Sequence, residues 1–261
     1  MQRKWLLILS LCIGNLRTTG LRRSTGGLLL GVWLLLAGCV STRGSKERFY
    51  FVQMSDTQFG FFNENRSFEK ETAHLQRAIA AINQLKPAFV VVTGDLINKP
   101  FDNAQIAEYK RVTAQLASRI PLYNVAGNHD VGNSPAPVDI AAYNKEFGPD
   151  YYTFRYRSLL GIVLNSLYLK DPRNVPAQAL AQEQWLVQTL KEAKAQSYKH
   201  IVVFLHHPLF LGHEDEAEQY FNIPPAARKK YLEIFRNNGI RYTFAGHLHR
   251  NAYAKAGRKK W

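Results

Sequence analysis

The chain has 261 residues, of which 46% are hydrophobic, and it carries a formal net charge of +14. This length and apolar content allow one large domain with a buried core. The charge lies at the ends: residues 1–48 hold eight Lys or Arg against one acid, residues 250–261 hold five against none, and the stretch between holds 21 against 19. A nearly neutral body argues against a groove for nucleic acid. Both cysteines precede residue 40, which excludes a disulfide framework in the body.

The first 40 residues have the pattern of an export signal. Basic residues precede an apolar run from Leu28 to Ala37, which is too short for a bilayer span of about 20 residues. Leu36-Ala37-Gly38-Cys39 resembles the lipobox of bacterial lipoproteins, in which the cysteine is diacylated and becomes the mature N-terminus. We therefore expect a signal peptide over residues 1–38, a lipidated Cys39 with a tether over residues 39–47, and a protein anchored to a membrane of the bacterial cell envelope, outside the cytoplasm.

Other interpretations of this leader stay open. An uncleaved anchor could use Leu6–Ile13 or Leu28–Ala37, and the second apolar run could also come from a misplaced start codon. Arg22-Arg23 is compatible with a twin-arginine signal, although one arginine pair is weak evidence.

The rest of the chain alternates short apolar runs with amphipathic stretches, which is typical of an α/β fold. Apolar spacing predicts helices over residues 68–85, 102–118, 179–196 and 225–238. Residues 151–169 break the alternation, because two β-rich runs are joined there by a short turn. We expect these runs to form an antiparallel pair in a second sheet beside the first.

Five β-branched or aromatic runs each end in a side chain that can bind a metal. The runs read as buried strands, and α/β sheets place ligands at the carboxyl ends of their strands. The side chains that follow the five runs are Asp56, Asp95, Asn128 with His129, His206, and His247 with His249. Five such ends side by side would form a metal site of oxygen and imidazole ligands, without thiolate.

These residues belong to five blocks that resemble, in order, the signatures of the calcineurin-like metallophosphoesterases. The blocks are Asp56-x-Gln58, Gly94-Asp95, Gly127-Asn128-His129-Asp130, His206-His207-Pro208 and Gly246-His247-Leu248-His249. The resemblance covers residues 48–250 and implies a two-sheet α/β sandwich flanked by helices. It also implies two divalent or trivalent metal ions, such as Mn, Fe or Zn, of unknown identity. Two metals about 3.5 to 4 Å apart can activate a water molecule and neutralise phosphoryl charge, which would hydrolyse a phosphoester substrate.

The resemblance also implies a role for each residue. One metal would take Asp56, Asp95 and His249, with Gln58 nearby, and the other would take Asp95, Asn128, His206 and His247. His207 stays open as an alternative to His206. His129 would protonate the leaving alkoxide, oriented by the amide side chain of Asn98.

Gln58 departs from the common pattern, in which histidine occupies this position. An amide is a poorer ligand than imidazole, so we expect the first metal to be held loosely. A subset of the family that includes a vertebrate member shares Asp-x-Gln-Phe-Gly here. That resemblance implies a phosphomonoesterase acting on phosphoserine or phosphothreonine.

Other features leave alternatives open. Residues 251–261 form a basic tail where family members run on through further strands, so a truncated or frameshifted gene is one explanation. A non-catalytic lipoprotein and a phosphodiesterase acting on nucleotides or nucleic acid are the competing functions. The acidic residues between 214 and 218 are predicted to form a solvated loop, or alternatively a lid.

Overall fold

The computed structural model describes residues 48–257; the expected signal peptide and Cys39 lie outside these residues. The strands are β1 Val52–Met54, β2 Val90–Val92, β3 Leu122–Asn124, β4 Tyr152–Tyr156, β5 Leu159–Val163, β6 His200–Phe204 and β7 Tyr242–Phe244. The helices are α1 Glu69–Leu85, α2 Asn103–Thr113, α3 Asn128–Val131, α4 Pro137–Phe147, α5 Leu167–Lys170, α6 Pro176–Lys194 and α7 Pro225–Asn237.

The strands form two sheets. The first has the order β1-β2-β3 with parallel pairing, and the second has the order β4-β5-β6-β7. In the second sheet β4 is antiparallel to β5, which confirms the pair expected within residues 151–169, and the other pairs are parallel. The five strand ends therefore do not form a single row. Three belong to the first sheet and two to the second, because β6 pairs with β5 rather than with β3.

An aromatic cluster joins the two sheets. Tyr123 of β3 stacks on Phe154 of β4 with ring centroids 3.8 Å apart, and Phe89, beside β2, lies 5.0 Å from Phe154. Phe51, next to β1, meets Phe244 of β7 edge-on at 5.3 Å. Buried aromatic pairs add specific geometry to the burial of apolar area. This packing fixes one sheet against the other, so that the loops following β1, β2, β3, β6 and β7 meet.

Helices cover the outer faces. α1 buries Leu75, Ile79 and Ile82, and it ends where Lys86 adopts a left-handed conformation before Pro87. The four predicted helices are confirmed, although α2 ends five residues earlier than expected, in turns after Thr113. The short helices α3 and α5 and the longer α4 were not predicted.

Candidate metal centre

Most of the predicted metal ligands have an unusual backbone conformation. A positive φ is uncommon for residues other than glycine, and such strain clusters at functional sites. Five of the seven predicted ligands adopt it: Asp56 (+56°), Gln58 (+34°), Asp95 (+53°), His247 (+67°) and His249 (+53°). The backbone thus turns sharply where the side chains must converge.

Glycines before the ligands allow neighbouring loops to approach each other closely. A Cβ atom on Gly127 would lie 2.2 Å from Asp95 Oδ1, and one on Gly94 would lie 2.4 Å from His206 Nδ1. Gly94 also has a φ of +89°. Gly94 and Gly127 are therefore required because any side chain there would collide with the neighbouring strand end.

Asp95 and His206 form the centre of the site. Asp95 is 1% exposed; its Oδ1 accepts a 2.8 Å hydrogen bond from the His129 N–H, and its Oδ2 lies 3.3 Å from His206 Nε2. Burial raises the pKa of Asp95, but His206 and His129 outweigh burial and lower it. Burial also lowers the pKa of His206, yet the charges of Asp95 and Asp56 raise it to about 9. Each of these two side chains therefore favours the charged form of the other.

The other predicted ligands of the second metal surround His206. Its Nε2 lies 2.9 Å from Asn128 Oδ1 and 3.2 Å from His247 Nδ1, while its Nδ1 faces the carbonyl of Thr93 at 2.9 Å. Because a carbonyl only accepts, Nδ1 carries the proton and Nε2 faces the centre. Burial, together with His206, lowers the pKa of His247 to about 4, so that imidazole is neutral and able to bind a cation.

His207 also lies at the centre. His206, His207 and His247 offer nitrogen atoms within 4.8 Å of one another, so three imidazoles could hold one cation. However, His207 Nδ1 contacts Ser166 Oγ at 2.9 Å, whereas His206 contacts Asp95 and Asn128 directly. Burial and the neighbouring His206 hold the pKa of His207 well below its usual value. These contacts favour His206 as the ligand of the second metal, whereas His207 is bonded to Ser166.

The predicted ligands of the first metal lie on the other side of Asp95. Asp56 Oδ1 is 3.4 Å from His249 Nε2, and Asp56, Asp95 and His206 offer ligand atoms within 4.8 Å of one another. The side chain of Gln58 is 2% exposed, and neither of its amide atoms has a hydrogen-bond partner among the described residues. Asp95 Oδ2 also accepts no hydrogen bond there.

Buried polar atoms without partners are costly and need an explanation. Asp95 lies among carboxylates and imidazoles, the ligand types that suit Mn, Fe and Zn, and Gln58 lines the adjoining cavity with Asp56 and His249. The residues of this centre therefore fit the two metal ions that the sequence blocks imply.

His129 is positioned by its neighbours but not in the way the sequence implied. Its Nδ1 lies 2.8 Å from the main-chain carbonyl of Asn98, whereas the Asn98 amide donates to Asn65 Oδ1. The carbonyl is held in this orientation because the N–H of Lys99, in the same peptide unit, donates to Gln105 Oε1 at 3.0 Å. The expected contact with the amide side chain is thus replaced by a main-chain contact. Nδ1 must carry a proton, and Nε2 is left to exchange one with a substrate.

The sequence did not reveal the role of Asp130. This buried carboxylate accepts hydrogen bonds from the N–H groups of Leu96 (2.9 Å), Ile97 (3.2 Å) and Gly127 (2.8 Å). Burial and the charge of Asp95 raise its pKa to about 8, although three amides donate to it. Asp130 joins the loop of Asp95 to the loop of Asn128. The Asn-His-Asp order was the available signal, but an acid two residues after the ligand Asn128 is equally compatible with a further ligand.

The ligands proposed for the first metal are here called the first half of the centre, and those proposed for the second metal the second half. Residues 211–223, here called the cover loop, lie over the second half. The Tyr220 ring lies 4.8 Å from the His247 ring, and the Tyr220 hydroxyl accepts from Asn128 Nδ2 at 3.4 Å. Fully buried Arg228 supports the loop by donating to the carbonyls of Glu214, Glu216 and Ile223. The acidic stretch had suggested a solvated loop, but part of this loop packs against His247 and Asn128.

The carboxylate of Glu216 fixes the start of the cover loop. It accepts from the N–H groups of Leu211, Gly212 and His213 and from the amide of Asn222. Burial raises the pKa of Glu216, but these hydrogen bonds outweigh burial and lower it to about 2.

A cavity of about 570 Å³ opens beside the first half of the centre. Asp56, Gln58 and His249 contribute to its lining, with Phe61 and Phe62 as apolar walls. The exposed Arg77 and Arg250 also line it. The cavity thus brings two cationic groups to the side of the centre where Gln58 lies.

Solved structures share this fold. The purple acid phosphatase PPD1 of yellow lupin superposes with a TM-score of 0.52 and 16% identity over 78% of this chain and 40% of that one. A dimetal phosphatase from Danio rerio superposes with a TM-score of 0.50 and 13% identity over 76% of this chain and 81% of that one. These similarities confirm the two-sheet α/β fold with flanking helices.

Sequence comparison identifies the family. Serine/threonine-protein phosphatase CPPED1 of Bos taurus is 39% identical over 222 residues, which make up 79% of this chain and 71% of that protein. The Homo sapiens protein of the same name is 38% identical over 223 residues, with the same coverage. The calcineurin-like phosphoesterase profile matches residues 49–251. The chain therefore belongs to the calcineurin-like phosphoesterases, a family of metal-dependent phosphoester hydrolases, as its five strand-end blocks predicted.

Proposed function

We propose that the chain is a phosphomonoesterase that hydrolyses phosphoserine or phosphothreonine in proteins. The observation that carries this proposal is the placement of His129: its main chain is bonded to Asp95 at the centre, and its ring is oriented by the carbonyl of Asn98. A candidate proton donor thus lies next to the candidate metal ligands. The two relatives named as serine/threonine phosphatases support the substrate class.

The proposed ligands divide between two metal positions. Asp56, Gln58 and His249 would hold the first metal, Asn128, His206 and His247 the second, and Asp95 would contact both. Metals bound there would supply a strong oxygen nucleophile at neutral pH and neutralise charge on the phosphoryl group.

His129 would provide the proton for the leaving group. With Nδ1 held by the Asn98 carbonyl, only Nε2 can donate to the alkoxide of a serine or threonine side chain. An alkoxide is a poor leaving group, so its protonation accounts for a large part of the rate. Arg77 and Arg250 at the nearby cavity would attract the dianionic ester.

The test is hydrolysis by purified residues 45–261 supplied with Mn²⁺, Fe²⁺ or Zn²⁺. A phosphoserine peptide, a phosphothreonine peptide and a phosphodiester would be compared in parallel. We expect turnover of the phosphopeptides and little turnover of the diester. Preference for the diester would support the nucleotide or nucleic-acid alternative. Turnover of none of them by metal-loaded protein would support a non-catalytic member.

We also propose that a lipid at Cys39 anchors the protein to a membrane of the bacterial cell envelope. Two acyl chains hold a protein stably where one does not. In residues 48–257, no helix combines the length and apolar character needed to cross a membrane. Cys39→Ser should leave a slower-migrating precursor. Normal processing of that variant, with no labelled fatty acid in the wild type, would contradict the proposal.

A further inference from the structure

Gln58 has more hydrogen-bonding capacity than a metal can use. Its side chain is 2% exposed, and both its Oε1 and Nε2 are buried without a partner among the described residues. Its main-chain N–H is fixed by a 2.9 Å hydrogen bond to the carbonyl of Asp95. The residue lines the cavity together with Asp56 and His249, and its buried amide has an acceptor and a donor unpaired.

A cation can satisfy only one half of this amide. Oε1 is an acceptor and can bind a metal, whereas Nε2 carries two N–H groups and cannot. Leaving that donor buried and unpaired would be costly. Nε2 therefore needs an acceptor on the same side of the centre as the metal.

No described residue places an acceptor within hydrogen-bond distance of Nε2. The nearest carboxylate in sequence, Asp56, already accepts from the Ser55 hydroxyl at 2.5 Å and from the His247 N–H at 3.1 Å. Gln58 lines the same cavity as Arg77 and Arg250, whose charges favour an anion. The group that enters this space during the proposed reaction is the phosphoryl group of the substrate.

We propose that Gln58 is a substrate-binding residue: its Nε2 donates a hydrogen bond to a phosphoryl oxygen while its Oε1 faces the first metal. This inference rests on the proposed phosphoesterase function and adds phosphate recognition to that site. Histidine could not do both, because the two nitrogens of an imidazole lie on different sides of the ring. The departure from the common sequence pattern therefore exchanges some metal affinity for a phosphate contact.

Two substitutions of Gln58 keep a metal ligand but remove the hydrogen-bond donor. Gln58→His keeps a neutral metal ligand and removes the donor on the metal side, and Gln58→Glu keeps the oxygen ligand and replaces the donor with an acceptor. Both variants should bind metal at least as tightly as the wild type. Both should bind phosphate about tenfold to a hundredfold more weakly, as expected for the loss of one hydrogen bond to a charged group. Gln188→Glu, on the exposed surface of α6, controls for the added charge.

The experiment is calorimetric titration of the Mn²⁺-loaded proteins with inorganic phosphate, with metal content determined by elemental analysis. Weaker phosphate binding at unchanged metal content in both Gln58 variants, but not in Gln188→Glu, would support the proposal. Unchanged phosphate affinity in Gln58→His would overturn it. So would parallel loss of metal and phosphate in both variants, because Gln58 would then act only as a ligand. Phosphopeptide turnover by the wild type tests the proposed function separately from these affinities.

Discussion

The two halves of the metal centre are built differently, although they share Asp95. In the second half, His206 is fully buried and contacts Thr93, Asn128 and His247. In the first half, the His249 side chain is 27% exposed and the Gln58 amide has no partner among the described residues. The second half is thus organised by the protein alone, whereas the first half depends on what binds to it.

The backbone conformation of the ligands also differs between the two halves. All three side chains proposed for the first half, from Asp56, Gln58 and His249, stand on residues with positive φ, but only His247 does so among those of the second half. A strained backbone persists only when its surroundings fix it. The surroundings therefore also fix the backbone of the first half, and the two halves differ in how their side chains are partnered.

The largest expected effect is that of Asp95→Asn. Because Asp95 lies between the two halves and is 1% exposed, the loss of its charge should lower metal content at both positions and reduce turnover below detection. Elemental analysis and phosphopeptide hydrolysis measure the two effects. Asp215→Asn, at an exposed position, serves as the control. Unchanged metal content in Asp95→Asn would contradict the bridging role.

Asp130→Ala tests the support that joins the loop of Asp95 to the loop of Asn128. The substitution leaves three buried N–H groups, of Leu96, Ile97 and Gly127, without an acceptor. We expect the free energy of unfolding to fall by about 3 kcal/mol or more. Chemical denaturation would measure this. An unfolding curve like that of the wild type would mean that Asp130 does not hold the two loops together.

His129→Ala should slow hydrolysis without reducing the metal content. The residue contacts Asp95 through its main chain, so both metals should stay bound. Loss of the proton donor should slow alkyl phosphates about 10²- to 10⁴-fold and activated aryl phosphates much less. Steady-state rates on both ester types provide the comparison. Equal slowing of both would show that His129 is not the general acid.

The smallest expected effect concerns the cover loop and pH. Hydrogen bonds lower the folded-state pKa of Glu216 from 4.5 to about 2, so the ionised carboxylate stabilises the fold above pH 4.5. That contribution should disappear as the pH falls from 4.5 towards 2. Glu216→Gln should therefore lower the melting temperature by a few degrees at pH 6 and by less at pH 3. A difference independent of pH would exclude a role for the charge.

The sequence predicted two sheets and the side chains at the strand ends, but not how the strands divide between the sheets. Asp56, Asp95 and His206 could be identified because each directly follows a buried apolar run, and local patterns of this kind survive without tertiary information. The division of the strands between two sheets could not, because nothing within residues 200–204 shows that β6 pairs with β5. Strand partners are chosen by packing between distant segments.

Contacts made by main-chain atoms also could not be predicted from the sequence. Asn98 was expected to orient His129 with its amide, but the amide bonds to Asn65, 33 residues earlier, and the carbonyl contacts His129 instead. Likewise, the support given by Arg228 to the cover loop runs through carbonyl groups. Every residue has a carbonyl, so side-chain identity cannot reveal such partners.

The most direct test of the two unlike halves is calorimetric titration of metal-free protein with Mn²⁺. We predict two binding steps of unequal affinity in the wild type. His249→Ala should remove the weaker step, and His247→Ala should remove the tighter one. A single step in the wild type, or the same isotherm for both variants, would contradict the account.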